Sequence, residues 1–329
     1  MENSQTFDSL PNELLISILS QLPTSSLLPL ITTSRRIYSI ALRILKQRLS
    51  HATSQPDQRL MLECYHPSEK LYTPYLYCNY LRTDSFASAE PTARGTSGTG
   101  GLAGIYAHFR PVEQDEDRPR RATRGFRRHL TPTPTTTATP NNEEPRPSTD
   151  VYLDDDESFT QLCAVTNLVR MGPKPGLFRS HVNVSEGVLR VWRDWLAERA
   201  AAGGRRGERA GREAGEAGQG QEEEEEEEEG GGGGGDGGGG DEGEGEGGDE
   251  DGVLWADASR DVGVRFRVAE KDIRGQHPVL VASDEQLPVA YRLEFGELLV
   301  RATTLLLMVE KSEMQDFAAE GKAIVLASF

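Results

Sequence analysis

Residues 9–49 read SLPNELLISILSQLPTSSLLPLITTSRRIYSIALRILKQRL, and this stretch decides how the rest of the chain is organised. Leu10, Leu14, Leu15, Ile18, Leu19 and Leu22 crowd its first third, and apolar residues resume after each of two pauses. About forty residues are too few for a comfortable core of their own. So much Leu and Ile implies burial, either against the rest of this chain or against another protein. Three short helices account for the pattern. Pro11 stands at an early helical position and Glu13 in the first turn, where a missing N–H costs nothing and a negative charge suits the dipole. Leu14, Leu15, Ile18, Leu19 and Leu22 then form one continuous face, and Pro23 ends the helix. Ser25 or Ser26 can cap a second helix, with Pro29 in its first turn. Thr32, Thr33 or Ser34 can cap a third, striped by Ile37, Ile40, Ala41, Ile44 and Leu45, with Arg35, Arg36, Arg43 and Lys46 on the wet side.

Outward from this segment the composition is uneven. Of 329 residues with a net charge of −17, the tract from Gly203 to Gly252 holds 22 of 35 glycines and 19 acidic residues against 4 arginines. All but two of the net negative charges therefore sit in one tract, and the acidic pI says little about a folded surface. Ala87 to Ser148 is rich in Thr, Pro, Arg and Gly. Neither stretch has the apolar periodicity that offsets ordering entropy, so both are expected to be disordered inserts, bounded at 87–149 and 201–252. The folded remainder is expected as a helical module over 7–50 and a β-rich domain assembled from 58–86, 150–200 and 253–329.

In that remainder the period changes to two. Leu60, Leu62 and Cys64 alternate with Met61, Glu63 and Tyr65; Val262, Val264, Phe266 and Val268 alternate with Gly263, Arg265 and Arg267; Val289, Tyr291, Leu293 and Phe295 alternate with Ala290, Arg292 and Glu294. All three alternate as strands do, and the last two predict half-buried strands with a polar outer face. The continuous apolar run Thr303–Val309 (TTLLLMV) predicts a central strand. In EGVLRVWRDWLAERA (186–200), Val188, Val191, Trp192, Trp195 and Leu196 fit a helical face, with a helix beginning in or shortly after the segment. The fold class is thus α+β: three helices, then a β-rich sheet or sandwich interrupted by two inserts.

Several chemistries find no support. Cys64, Cys78 and Cys163 are widely spaced, form no CxxC pair, and follow no secretory signal. A reducing setting, in the cytoplasm and/or nucleus, is expected. The most apolar run of membrane-like length, Leu14 to Ile31, is broken by Pro23 and Pro29, so no membrane span is expected. The six histidines (His51, His66, His108, His129, His181, His277) form no metal or triad spacing with Cys or carboxylates, and no GxSxG occurs. Accidental GxGxxG matches in the glycine tract have no flanking strand and helix. No cofactor, metal site or enzyme active site is expected. The basic cluster Arg118–His129 has one aromatic, Phe126, which leaves base stacking little to work with, so nucleic acid is not an expected partner. A solvated linker is its default reading, and nuclear import the alternative. Trp192, Trp195 and Trp255 could line a sugar or peptide site, although core packing is the favoured reading.

The order LP-x-E-LL-x-x-IL-x-x-LP, three polar residues, LL-x-L and a Ser-Arg-Arg run opening a third helix resembles the F-box. Its residues here are Leu10, Pro11, Glu13, Leu14, Leu15, Ile18, Leu19, Leu22, Pro23, Leu27, Leu28, Leu30, Ser34, Arg35 and Arg36. Ser26 stands where the family often has an acidic residue, and Ile37 and Tyr38 where it usually has Trp. The phrases VTNLVRMGPKPGLFRSHV, VLRVWRDWL and VAYRLEF more loosely resemble the C-terminal region of fungal F-box proteins. The resemblance implies a substrate receptor of an SCF (cullin–RING) ubiquitin ligase. Leu10, Pro11, Leu14, Leu15, Ile18, Leu19, Leu22, Leu27 and Leu30 would dock on the Skp-type adaptor, and through it the cullin and RING subunits. The β-rich domain would take an unidentified target protein, and ubiquitin transfer would be done by other subunits. The alternative is a ligand-binding β-domain, lectin-like or peptide-binding, with no ligase role.

Overall fold

The computed structural model describes residues 10–70, 73–86, 100–113, 146–154, 156–173, 177–203, 252–271, 288–318 and 324–325. Three helices come first: α1 (Asn12–Leu19), α2 (Thr24–Leu30) and α3 (Arg35–Ser54). Prolines punctuate them, since Pro11 and Pro23 immediately precede α1 and α2 in extended conformations. Ser34 caps α3, its Oγ accepting from the Ile37 N–H at 3.2 Å, which satisfies one of the donors a helix start leaves open. Two expectations fail at α2. It begins before Ser25 and Ser26, and Pro29 falls in its last turn rather than its first.

Two arginines of α3 tie down both ends of α1. Arg36 donates to the Asn12 Oδ1 at 2.9 Å and to the Leu10 carbonyl; Arg48 donates to the carbonyls of Ser20, at 3.0 Å, and Leu22. Arg36 is therefore not simply on a wet face. Leu15, Leu19 and Leu27 pack inward against Ile37, Ile40, Ala41, Ile44 and Leu45.

Strands follow, every pairing antiparallel: β1 (Gln58–Tyr65), β2 (Leu76–Thr83), β3 (Tyr106–Val112), β4 (Ser148–Leu153), β5 (Phe159–Met171), β6 (Leu177–Trp192), β7 (Val253–Trp255), β8 (Val262–Lys271), β9 (Val289–Arg301) and β10 (Ile324–Val325). The order is β10-β6-β5-β1-β2-β3-β9-β8-β7, with β4 beside the first half of β9 and β3 beside its second half. This is one nearly closed sheet, not a sandwich. Its two ends meet where β6 passes the turn after β7. There Gly187 lies so close to Ala256 that a Cβ would sit 1.9 Å from the Ala256 carbonyl oxygen, and Ser185 Oγ donates to Asp257 at 3.4 Å. The strands predicted from 262–268 and 289–295 form, with Val262, Val264, Phe266, Val268, Tyr291, Leu293 and Phe295 inward as expected, whereas Val289 is half-buried and Ala290, expected on the outer face, is buried.

Three stretches differ from expectation. TTLLLMV is not a strand; it opens helix α6 (Ala302–Ala318), numbered after α4 (Gly100–Ala103) and α5 (193–203). A continuous apolar run fits either element until its length is considered, and here helix-forming EKSEMQDF extends it. Ala302, Leu305, Leu306, Val309 and Ser312 are the buried positions, at helical spacing. EGVLRVW is the end of β6, where Leu189 and Val191 are inward while Val188 and Trp192 face out, so no helical face forms over 188–192; the expected helix does begin within the segment, at residue 193. The span 87–149 is not one insert. IYAHFRPV within it supplies β3, with Ile105, Ala107 and Phe109 buried, and Ser148 begins β4. Residues 204–251, the basic cluster Arg118–His129, His129 and His277 lie outside the described residues. The elements on either side of 204–251, α5 and β7, belong to the same unit.

One apolar cluster runs without a break from α1–α3 through α6 into the sheet interior. The joint is also polar. Glu310 of α6 accepts from the Thr24 N–H at 2.8 and 2.9 Å, from the Thr24 hydroxyl at 2.5 Å, and from Arg48 at 3.1 Å. Pro23 offers no capping side chain, so a carboxylate 286 residues away caps α2 instead, a placement the helix dipole favours.

Candidate functional site

The first helix presents two apolar stripes. Leu15 and Leu19, each 1% exposed, belong to the chain's own core, and Leu22 packs partly against it. Pro11, Leu14 and Ile18 follow one another at i, i+3 and i+7 on the other side, a spacing that makes them neighbours on a helix surface. Leu14 is 51% and Ile18 46% exposed, and Pro11 is exposed as well. Of the remaining residues expected to dock a partner, Leu27 is fully buried, and Leu10 and Leu30 are half-buried against the core. The nine positions thus divide: Leu15, Leu19 and Leu27 hold the helices together, and Pro11, Leu14 and Ile18 are left to solvent. No helix among the described residues is long and apolar enough to cross a membrane.

The tryptophans do not converge. Trp195 packs against the core, Trp255 stacks on Tyr106 at 5.2 Å with Arg260 over its ring, and Trp192 pairs with Phe159 at 5.0 Å on the outer face of β5 and β6. Trp192 is 48% exposed, so the core reading fails for it.

Sequence spacing gave no carboxylate partner for any histidine, yet the sheet supplies two. His108, buried on β3, lies 2.9 Å from Asp84 Oδ1 through Nε2 and 3.0 Å from Glu297 Oε2 through Nδ1. Glu297 also accepts from Arg82 at 2.8 Å and Arg265 at 2.9 Å. The hydrogen bond from His108, followed by that from Arg82, outweighs desolvation and draws the Glu297 carboxyl down to about 2 from its ordinary 4.5. A depressed carboxyl contributes stability above its unfolded pKa, and that contribution is lost as pH falls through the folded one. The contribution is on the order of 3 kcal/mol at most. Glu297→Gln is expected to lower stability at pH 6 and to flatten the acid limb between pH 4.5 and 2, read from urea midpoints across that range. No nucleophile joins the cluster, and no group of side chains among the described residues has the arrangement of a metal site. The three cysteines are free, and burial pushes the Cys64 thiol up to about 12 and the Cys78 thiol up further.

A cavity of about 250 Å³ opens at the mouth of the sheet, where the end of α3 (Ala52, Thr53) meets β1, β2, β3 and α6. Gln58 borders it, on the same side of β1 as Leu60. Both its amide atoms are shut off from solvent and find no protein partner. A buried polar group left unmet costs about 1–3 kcal/mol. The available signal was parity: Gln58 occupies the position that Leu60, Leu62 and Cys64 fill with apolar groups.

Residues 7–51 match the F-box-like family model, which is the segment and the family that the leucine pattern resembles. No curated protein and no solved structure matches the chain.

Proposed function

With an F-box-like domain over residues 7–51 as premise, we propose that the chain is a substrate receptor whose Pro11–Leu14–Ile18 stripe docks on the Skp-type adaptor of a cullin–RING ubiquitin ligase. F-box domains act as non-catalytic adaptor modules, and the receptor's contribution is proximity between target and transfer machinery. The β-rich part is assigned to an unidentified target protein, in the cytoplasm or nucleus.

The observation that carries this reading is the exposure of Leu14 and Ile18 on a domain whose Leu15, Leu19 and Leu27 are already buried in cis. Complete burial of an aliphatic side chain is worth about 1.5–3 kcal/mol. Half of that for each of two residues gives roughly 1.5–3 kcal/mol, about tenfold to a hundredfold in affinity. Burying two charges in the same place costs considerably more. In a pull-down of the full chain on purified adaptor, Leu14→Asp/Ile18→Asp is expected to weaken capture at least about a hundredfold, with an unchanged circular dichroism spectrum. Equal capture by the variant, or none by the wild type, removes the reading.

A further inference from the structure

We infer that the unpaired edge of β4 takes an extended, basic peptide segment of a partner protein as an added strand. Calling that partner the target rests on the receptor reading; the binding itself does not.

The sheet forks along β9. Residues 289–294 pair with β4 and 298–301 with β3, so β4 has β9 on one side and no strand on the other. One hydrogen bond fixes which of its groups point to the empty side. The Phe295 N–H donates to the Pro147 carbonyl at 2.9 Å, which makes these two a hydrogen-bonded pair. Such pairs alternate along an antiparallel ladder, so Thr149, Val151 and Leu153 also turn their main-chain groups to β9. Ser148, Asp150 and Tyr152 turn theirs to the empty side, and among the described residues no hydrogen bond reaches those groups. They recur every second residue, roughly 7 Å apart, which is the spacing an added strand presents in return. Natural sheets blunt such edges with Lys, Pro or a bulge. β4, with the sequence STDVYL and an unbroken register on β9, carries none of the three.

There is room beside this edge. A cleft of about 310 Å³ runs along β4 from Pro147 to Asp150, with Glu69 and Glu113 across from it. That volume is roughly ten times the liquid share of one water, enough for a short stretch of main chain. Charge selects the occupant. Glu69, Glu113 and Asp150 border the cleft, and no cationic side chain among the described residues does. Asp150 is already matched by Lys271 at 2.7 Å and Arg292 at 3.2 Å. Glu69 is exposed and has no ion pair among the described residues. A lysine or arginine on the added strand meets it, whereas an acidic strand brings like charge to all three carboxylates. An exposed ion pair adds little by itself, so the main chain supplies the affinity and the rim supplies the preference.

The test uses the full chain and a fluorescein-labelled six-residue peptide that alternates valine and lysine, capped at both ends. Its controls are the same peptide with glutamate for lysine, and the same peptide N-methylated at every backbone amide. Fluorescence polarisation is expected to show saturable binding of the lysine peptide and none of the N-methylated one. The glutamate peptide is expected to bind at least about tenfold more weakly. Amide hydrogen exchange at Ser148, Asp150 and Tyr152 is expected to slow when the lysine peptide binds. Ser148→Pro removes an N–H on the empty side and no bond to β9, a place where an edge strand tolerates proline. It is expected to keep the wild-type melting temperature and to weaken binding at least about tenfold. Glu69→Lys is expected to remove the preference for lysine over glutamate. Should Ser148→Pro fail to fold, the exchange readout and Glu69→Lys still decide. No saturable binding of the lysine peptide, equal binding of the N-methylated one, equal binding by a folded Ser148→Pro, or an unchanged preference in Glu69→Lys overturns the proposal. So does a wild type that sediments as a dimer where Ser148→Pro is a monomer, which gives the edge to a second copy of the chain. Adaptor capture by Ser148→Pro and peptide binding by Leu14→Asp/Ile18→Asp are each expected to equal the wild type, so a failure here and a failure of the adaptor reading are told apart.

Discussion

Leu15→Asp is expected to unfold the helical segment, while the same substitution one residue earlier leaves the protein folded. Leu15 is 1% exposed and sits against α3, whereas Leu14 is 51% exposed. The aspartate at 15 loses about 1.5–3 kcal/mol of apolar burial. It also leaves an unpaired buried charge, a penalty of about 3–5 kcal/mol. A sum of about 4.5–8 kcal/mol consumes much of a typical stability of about 5–15 kcal/mol. Leu14→Asp replaces a largely solvated side chain, where changes stay within about 0.5 kcal/mol. Urea titrations followed by circular dichroism at 222 nm distinguish the two. Equal midpoints for the two variants would mean that the stripes of α1 are assigned the wrong way round.

Gly187→Ala is expected to open the seam of the sheet. The added methyl would lie 1.9 Å from the Ala256 carbonyl oxygen and 2.7 Å from its carbon. Both are backbone atoms, so no side chain can rotate away and the chain itself has to move. Overpacking typically costs about 1–3 kcal/mol, and a clash with backbone places this case at the upper end, about 3 kcal/mol. In a domain of this size that is a fall of roughly 6–12 °C in melting temperature. Gly104→Ala is the control, since a Cβ there meets nothing within 4 Å, and its midpoint is expected to stay with the wild type. A Gly187→Ala protein that melts with the wild type would mean that β6 and the turn after β7 stand further apart than described.

The helices were legible because their signals are local. Pro11 and Pro23 set the starts, Ser34 caps α3, and the 3.6-residue period fixes the faces within a few positions of sequence. What local signals do not contain is which stripe of α1 turns inward. Leu14 and Leu15 are adjacent and chemically identical, and only α3 distinguishes them. The strands at 262–268 and 289–295 were legible from strict alternation. TTLLLMV has no alternation to read, and composition hid IYAHFRPV between Gly, Thr and Arg. The tryptophan spacing in VLRVWRDWL fitted a helix, while the strand register set by Phe159 opposite Trp192 decided otherwise. The polar sites were beyond spacing rules altogether. His108 meets Asp84 across 24 residues and Glu297 across 189, separations that strand pairing collapses and a linear pattern does not record. Gln58 differs: a lone amide on the apolar parity of a strand is a visible anomaly, readable without coordinates.

The carboxylate of Glu310 on the amide of Thr24 has a temporal meaning. Roughly 250 residues separate the end of α3 from the start of α6, and at synthesis rates of about 5–20 residues per second that is an interval of roughly 12–50 s. The first-made helices therefore spend that time on the ribosome without the carboxylate that caps α2, and a helix made much later completes them. A chain released before Glu310 would carry all three helices and the apolar joint, but not the carboxylate that caps α2 and fixes its start against the sheet domain.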